Sequence, residues 1–180
     1  MVKPALAAAL VVAAPVYAEP KVIAELAADI TGDGVMDLAL LVGEARADLL
    51  ILKGTQDGSF ETSVHLTGIG FSSGVTEGPR LGVNPVGSLT LTSSNFGIGR
   101  YKWEQTVTIA YRDGSFRLAG LTYNAFDSLD LDVWRRCDLN LLTGRGTVET
   151  VEGEQVWTGI PQTRPLSDWD ADELWALCSD

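Results

Sequence analysis

A chain of 180 residues with 24 Asp and Glu against 13 Lys and Arg carries a formal charge of −11. That balance repels phosphate backbones and anionic bilayers, which argues against nucleic acid and membrane surfaces as partners. Two cysteines and one histidine, His65, match no zinc-site spacing.

The first eighteen residues read as a secretion signal. Lys3 gives a positive start, residues 5–14 are an unbroken apolar run, and Pro15 ends it. Val16-Tyr17-Ala18 then offers a small-residue cleavage site before Glu19. A bilayer span needs about 20 apolar residues. The run is shorter than that, so the pattern predicts a removed signal with no transmembrane segment, in a periplasmic or secreted protein. Of the 180 residues, 18 would go and 162 remain, enough for one domain at 19–180.

The mature part is rich in short Val, Ile, Leu, Thr and Tyr runs broken by Gly and Asp-Gly, the signature of an antiparallel all-β fold. Strands are predicted at 22–28, 37–42, 48–53, 60–66, 88–93, 101–112, 115–123, 133–142 and 146–151. Asp57-Gly58 and Asp113-Gly114 are tight-turn dipeptides, because both residue types tolerate positive φ. The stretch 67–87 holds little periodicity and reads as a long loop. Tyr101, Trp103 and Tyr111 lie at even spacings on one predicted strand and so share one face. They are candidate ligand-binding residues, with the core face of a sheet as the plainer reading.

Pro161 and Pro165 precede a predicted C-terminal helix at 167–178, with Ser167 as its cap and Asp170 three residues on. Ala171, Leu174, Trp175 and Cys178 fall on one apolar face, and Trp157, Trp169 and Trp175 are expected to pack the helix down. In an exported chain a lone cysteine pair is expected to bridge, which joins Cys137 to Cys178 and pins the helix to the sheet.

Residues 29–38 read Asp-Ile-Thr-Gly-Asp-Gly-Val-Met-Asp-Leu. Carboxylates at relative positions 1, 5 and 9, a hydroxyl at 3 and Gly at 6 match the spacing of a calcium loop. Asp29, Thr31, Asp33, the carbonyl of Val35, and Asp37 are the candidate ligands of one Ca²⁺ ion. Position 12 is Leu40, so no bidentate Glu closes the loop, and the expected affinity is weak, on the order of 10⁻⁴–10⁻³ M.

The acidic loop, Ala47-Asp-Leu-Leu-Ile-Leu52 and Gln56-Asp-Gly-Ser-Phe60 together resemble one FG-GAP/VCBS-type repeat, the calcium-loop blade unit of integrin-alpha-like propellers, over about residues 24–65. Ser88-Leu-Thr-Leu-Thr-Ser93, Tyr101-Lys-Trp103, Asp113-Gly-Ser-Phe-Arg-Leu118 and Asn140-Leu-Leu-Thr-Gly144 resemble small exported bacterial proteins in which such a repeat precedes an antiparallel sheet. The resemblance implies a blade-like unit at 19–66, a sheet at 86–151 and the short helix.

Two enzymatic patterns are weaker. Gly70-Phe-Ser72-Ser-Gly74 matches the Gly-x-Ser-x-Gly nucleophile pattern, but the only His precedes the Ser and no strand-to-helix turn is expected there. Glu149, Glu152 and Glu154 read as a solvated turn rather than an acid–base pair. The leading expectation is a non-enzymatic, calcium-stabilised binding or structural module with an unknown protein or glycan partner. The alternatives are a carbohydrate-recognition or hydrolytic protein using the 67–87 loop and the aromatic stripe, and an inhibitor of an envelope enzyme.

Overall fold

The computed structural model describes residues 21–71 and 78–179. The expected signal at 1–18, and Ser72, Ser73 and Gly74 of the nucleophile pattern, lie outside them.

Eleven strands, a one-turn 3₁₀ segment and one helix follow each other along the described chain. β1 (Val22–Ala28), β2 (Asp37–Gly43), β3 (Arg46–Gly54) and β4 (Phe60–Phe71) form a four-stranded antiparallel sheet. The second sheet has seven antiparallel strands: β5 (Arg80–Val83), β6 (Leu89–Asn95), β7 (Tyr101–Arg112), β8 (Ser115–Asp127), β9 (Asp130–Asn140), β10 (Arg145–Thr150) and β11 (Gly153–Thr158). In both sheets every strand pairs with its neighbour in sequence. The all-β class with a short C-terminal helix is therefore the observed one.

Alternation builds the core. Ala39 and Leu41 on β2, Ala47, Leu49 and Ile51 on β3, and Val107 and Ile109 on β7 point inward and are buried, while their chain neighbours face out. Buried side chains from both sheets and the helix form one cluster. In the paired stretches of β2 and β3 several outward residues are apolar as well. Leu38 pairs with Leu52 and Leu40 with Leu50, all half-buried, which is why this stretch reads as a continuous apolar run.

The Asp113-Gly114 turn closes β7 onto β8 as predicted. Arg112 pairs with Ser115, and both turn residues have positive φ, 52° and 77°, the geometry that matches strand twist. At the Asp57 turn the carboxylate accepts the hydroxyls of Thr55 and Ser59 and the Ser59 amide.

Three expectations change. The stretch 67–87 is not one loop: β4 runs on through Phe71, and Arg80–Val83 form β5. Four residues with a central glycine are too short to show a period. β11 is not among the predicted strands; its outward Glu154 and Val156 are exposed because it is a sheet edge. Ser167 does not cap the helix. It sits in the 3₁₀ turn Leu166–Asp168, Trp169 is extended, and the helix α1 (Ala171–Ser179) begins after Asp170. The Asp170 carboxylate takes the amides of Asp172 and Glu173, so Asp170 is the cap.

Leu174, Cys178 and Trp169 are buried against the sheets, and Cys137 on β9 is bonded to Cys178 across 41 residues. Closing a loop of that length stabilises by about 4 kcal/mol in the chain-entropy treatment. Replacing both cysteines by serine is expected to lower the urea unfolding free energy by about that amount; an unchanged midpoint would show that the bridge contributes nothing. The Asp57 carboxyl, held down first by Thr55, has a pKa of about 2. Its contribution is complete above the ordinary carboxyl range and disappears as pH falls through about 2. A carboxyl NMR titration with its midpoint near 2 checks this.

Candidate functional site

Two places bring chemically capable side chains together: the acidic loop between β1 and β2, and an aromatic groove on the inner face of the larger sheet.

The loop curls through left-handed Gly32 and Gly34. Asp29 Oδ1 accepts the amides of Gly32 at 2.7 Å and Asp33 at 3.1 Å, and its Oδ2 accepts that of Gly34 at 2.9 Å. The Thr31 hydroxyl lies 3.5 Å from the same carboxylate. Asp33 Oδ1 accepts the Val35 amide at 2.9 Å, and its Oδ2 faces Lys53 Nζ at 3.5 Å. The Val35 amide is the main reason that the Asp33 carboxyl sits below its usual range. Asp37, only 1% exposed, accepts the amides of Ile30 and Thr31 on Oδ2 and of Gly54 on Oδ1, each at 3.0 Å. Gly54 is required here, because a Cβ on it would stand 2.1 Å from the Met36 carbonyl oxygen. The loop therefore lies flat across the end of β3.

A carboxylate offers about four lone-pair positions. Asp29 and Asp37 have each directed three of them at backbone amides, whereas calcium takes six to eight oxygens. Among the described residues no group of three His, Cys, Asp or Glu side chains is gathered as a metal site. Asp29, Thr31, Asp33, Val35 and Asp37 thus share one loop as expected, and Asp29 and Asp37 latch it on its own amides.

The second place begins where the core ends. On β7 the inward face runs from buried Val107 and Gln105 to half-buried Trp103 and then to Tyr101, which is 59% exposed. Trp103 is the centre of a ring cluster. Its centroid is 5.2 Å from Phe71 on β4, 5.0 Å from Trp175 on α1 (edge-on, 77°) and 6.4 Å from Tyr123 on β8 (nearly parallel, 30°). These rings and Arg46 line an open cleft of about 300 Å³. A second lobe of about 320 Å³ continues on the other side of Tyr123, lined among others by Tyr101, Val133, Trp134 and Arg135. Asp127 forms part of that lobe with its side chain fully buried and paired to Arg100, which holds its carboxyl below the usual range.

Tyr101 and Trp103 therefore reach the groove, and Tyr111 does not. Eight residues of strand separate Tyr111 from Trp103, about 27 Å. Tyr111 packs on Phe116 at 4.9 Å, with Lys53 over its ring at 5.5 Å. Period two identified the face correctly, but one strand of this length serves both ends of the core. Trp175 was expected only to pack the helix down, and Phe71, Tyr123, Arg46 and Arg135 had no signal of their own in the sequence, because each comes from a different element. Glu152 and Glu154 are exposed at the β10–β11 hairpin, and Glu149 is 3.8 Å from Arg136 on the outer face.

Comparisons with protein-family models, with characterised proteins and with solved structures returned no match.

Asp37 is the carboxylate whose loss should be felt most. Asp37→Ala leaves three amides without their acceptor and is expected to destabilise the fold by about 3 kcal/mol, with Asp37→Asn costing less. Gly54→Ala should also destabilise, because a backbone oxygen occupies the space. Urea midpoints equal to wild type for these variants would show that the latch is dispensable.

Proposed function

We propose that this chain is a non-catalytic binding module of the periplasm or the cell exterior, with the aromatic groove as its binding surface. The observation that carries the reading is the set of four rings on four elements around a cleft that stays open to solvent. Rings used only for packing are covered; rings left half-covered beside a cleft present large, rigid, amphipathic contact area. The setting agrees: the Cys137–Cys178 bridge suits an oxidising compartment, and no described helix is long and apolar enough to cross a membrane.

Binding without catalysis is favoured by the groove's lining. Among the described residues that line the two lobes the carboxylate is Asp127, which is locked to Arg100 and depressed rather than raised, so it is poorly suited to accept and return a proton near neutral pH. In this reading the loop of Asp29 and Asp37 anchors β1 to β2 and β3 and takes no part in binding. Calcium, expected from the spacing, is not needed for the proposed role.

Titration calorimetry with chitotetraose, cellotetraose and tetragalacturonate tests the proposal. Wild type is expected to bind at least one of them, and Trp103→Ala to weaken that binding about tenfold, the equivalent of about 1.4 kcal/mol. Tyr101→Ala, at an exposed position, gives a second variant whose fold is not at stake. Binding that survives both substitutions intact, or no binding at all, would overturn the reading.

A further inference from the structure

We propose that two copies of this chain join through β11, antiparallel about a two-fold axis at Val156, so that their seven-stranded sheets run on as one. The contact lies on a sheet edge and is independent of the groove.

The four edges of the two sheets differ. β5 is four residues long and lies against β1, and β1 itself shifts register after Val22. β4 shifts register twice against β3 and is packed by β6, the 3₁₀ turn and α1. Shortness, bulges and cover are devices that keep an edge from pairing with another chain. Among the described residues β11 has none of them. Its six residues stay in unbroken register with β10 from Gly153 to Thr158 and contain no proline or lysine. They have no strand on their other side, and all but Trp157 are exposed. Val156, near the middle, is 66% exposed.

The ladder fixes where the backbone groups of β11 point. Just beyond the paired strands the Gly159 amide donates to the Gly144 carbonyl at 3.0 Å. Hydrogen-bonded and non-bonded pairs alternate along an antiparallel ladder. Trp157, Gln155 and Gly153 therefore bond to β10, and the N–H and C=O groups of Glu154, Val156 and Thr158 point to the open side. An added strand is what satisfies such a row.

The row is complementary to itself. An axis at Val156 sets Glu154 opposite the second copy's Thr158, Val156 opposite its own copy, and Thr158 opposite the second copy's Glu154. All three outward residues then exchange both backbone bonds with a partner. Sliding the strands toward Gly153 leaves fewer pairs and brings Glu154 opposite Glu154, which like charge disfavours. Sliding them the other way also loses pairs.

Charge favours the same register. Arg145 on β10 is exposed and stands beside Thr158. The second copy's Glu154 therefore lies two strand spacings from Arg145, about 9.5 Å, within the combined reach of the two side chains. The two-fold axis repeats this contact. Any extended chain can satisfy the backbone row, but a second copy also supplies the acid for Arg145 and opposes no like charges. Both copies use the same edge and the other edges are blocked, so assembly stops at two. The contact is short and each chain carries −11, so the dimer is a weak, reversible one.

Sedimentation equilibrium of the mature chain tests the proposal. The average mass is expected to climb from one chain toward two between about 10 µM and about 1 mM. Val156→Pro removes an N–H that points away from β10, so the ladder stays whole while the added strand is blocked. It is expected to weaken association about tenfold or more, with the urea midpoint of the monomer unchanged. Val156→Lys is a second variant, with the same expected effect and no backbone change. Arg145→Glu should weaken the dimer, and combining it with Glu154→Arg should restore it. A mass of one chain throughout, or association untouched by both Val156 substitutions, would overturn the proposal. Failure of the charge swap to restore the dimer would overturn the register at Val156.

Discussion

A seven-stranded sheet packed against a four-stranded one cannot be covered completely, and the rest of this structure follows from that mismatch. The smaller sheet meets the larger one through β1 against β5 and β4 against β6, and the two share one core. Helix α1, held by the Cys137–Cys178 bridge, covers part of the larger sheet's inner face. Beyond these, the long strands β7 and β8 continue into solvent with inward-facing aromatic residues. Those side chains are apolar because they continue the core pattern, and they are accessible because the smaller sheet reaches them only at its margin, through Phe71 and Arg46. The groove is the margin of the core.

The same mismatch explains why the margin is aromatic rather than aliphatic. At the edge of a core a side chain must be apolar on one side and tolerate water on the other. Trp and Tyr do both, and ring pairs at 5–6.4 Å hold each other in place without full burial. Trp103 is fixed from three directions by Phe71, Tyr123 and Trp175. A ligand arriving there would meet rings already ordered, which lowers the entropy lost on association.

Much of the fold was legible because local chemistry determined it. The alternation of Thr106–Tyr111 and the turn at Asp113-Gly114 specified a hairpin, and both flanking strands formed in the expected place. What failed depended on distant partners. β5 is four residues long and exists because β6 offers it an edge. The helix begins at Asp170 rather than Ser167 because Trp169 is extended and buried, a tertiary demand that capping preferences cannot express. In the acidic loop, residue spacing identified the curl and its carboxylates correctly. It could not show how those carboxylates divide their lone pairs between a cation and the loop's own amides, which depends on Gly54, seventeen residues after Asp37. The groove was only half visible, since Tyr101 and Trp103 lie on one strand but their companions come from β4, β8, β9 and α1.

The order of the strands has a kinetic consequence. Each sheet is a simple meander, so nearly every pairing joins segments adjacent in the chain, and few large loops must close before pairing begins. Each meander can zip from its own hairpins. Only the crossing from β4 to β5 and the seating of α1 bring remote parts together, and the walls of the groove, Phe71 and Trp175, stand at those two late junctions. The scaffold can therefore be assembled before its binding surface is complete, which places the groove among the last features to gain its final shape.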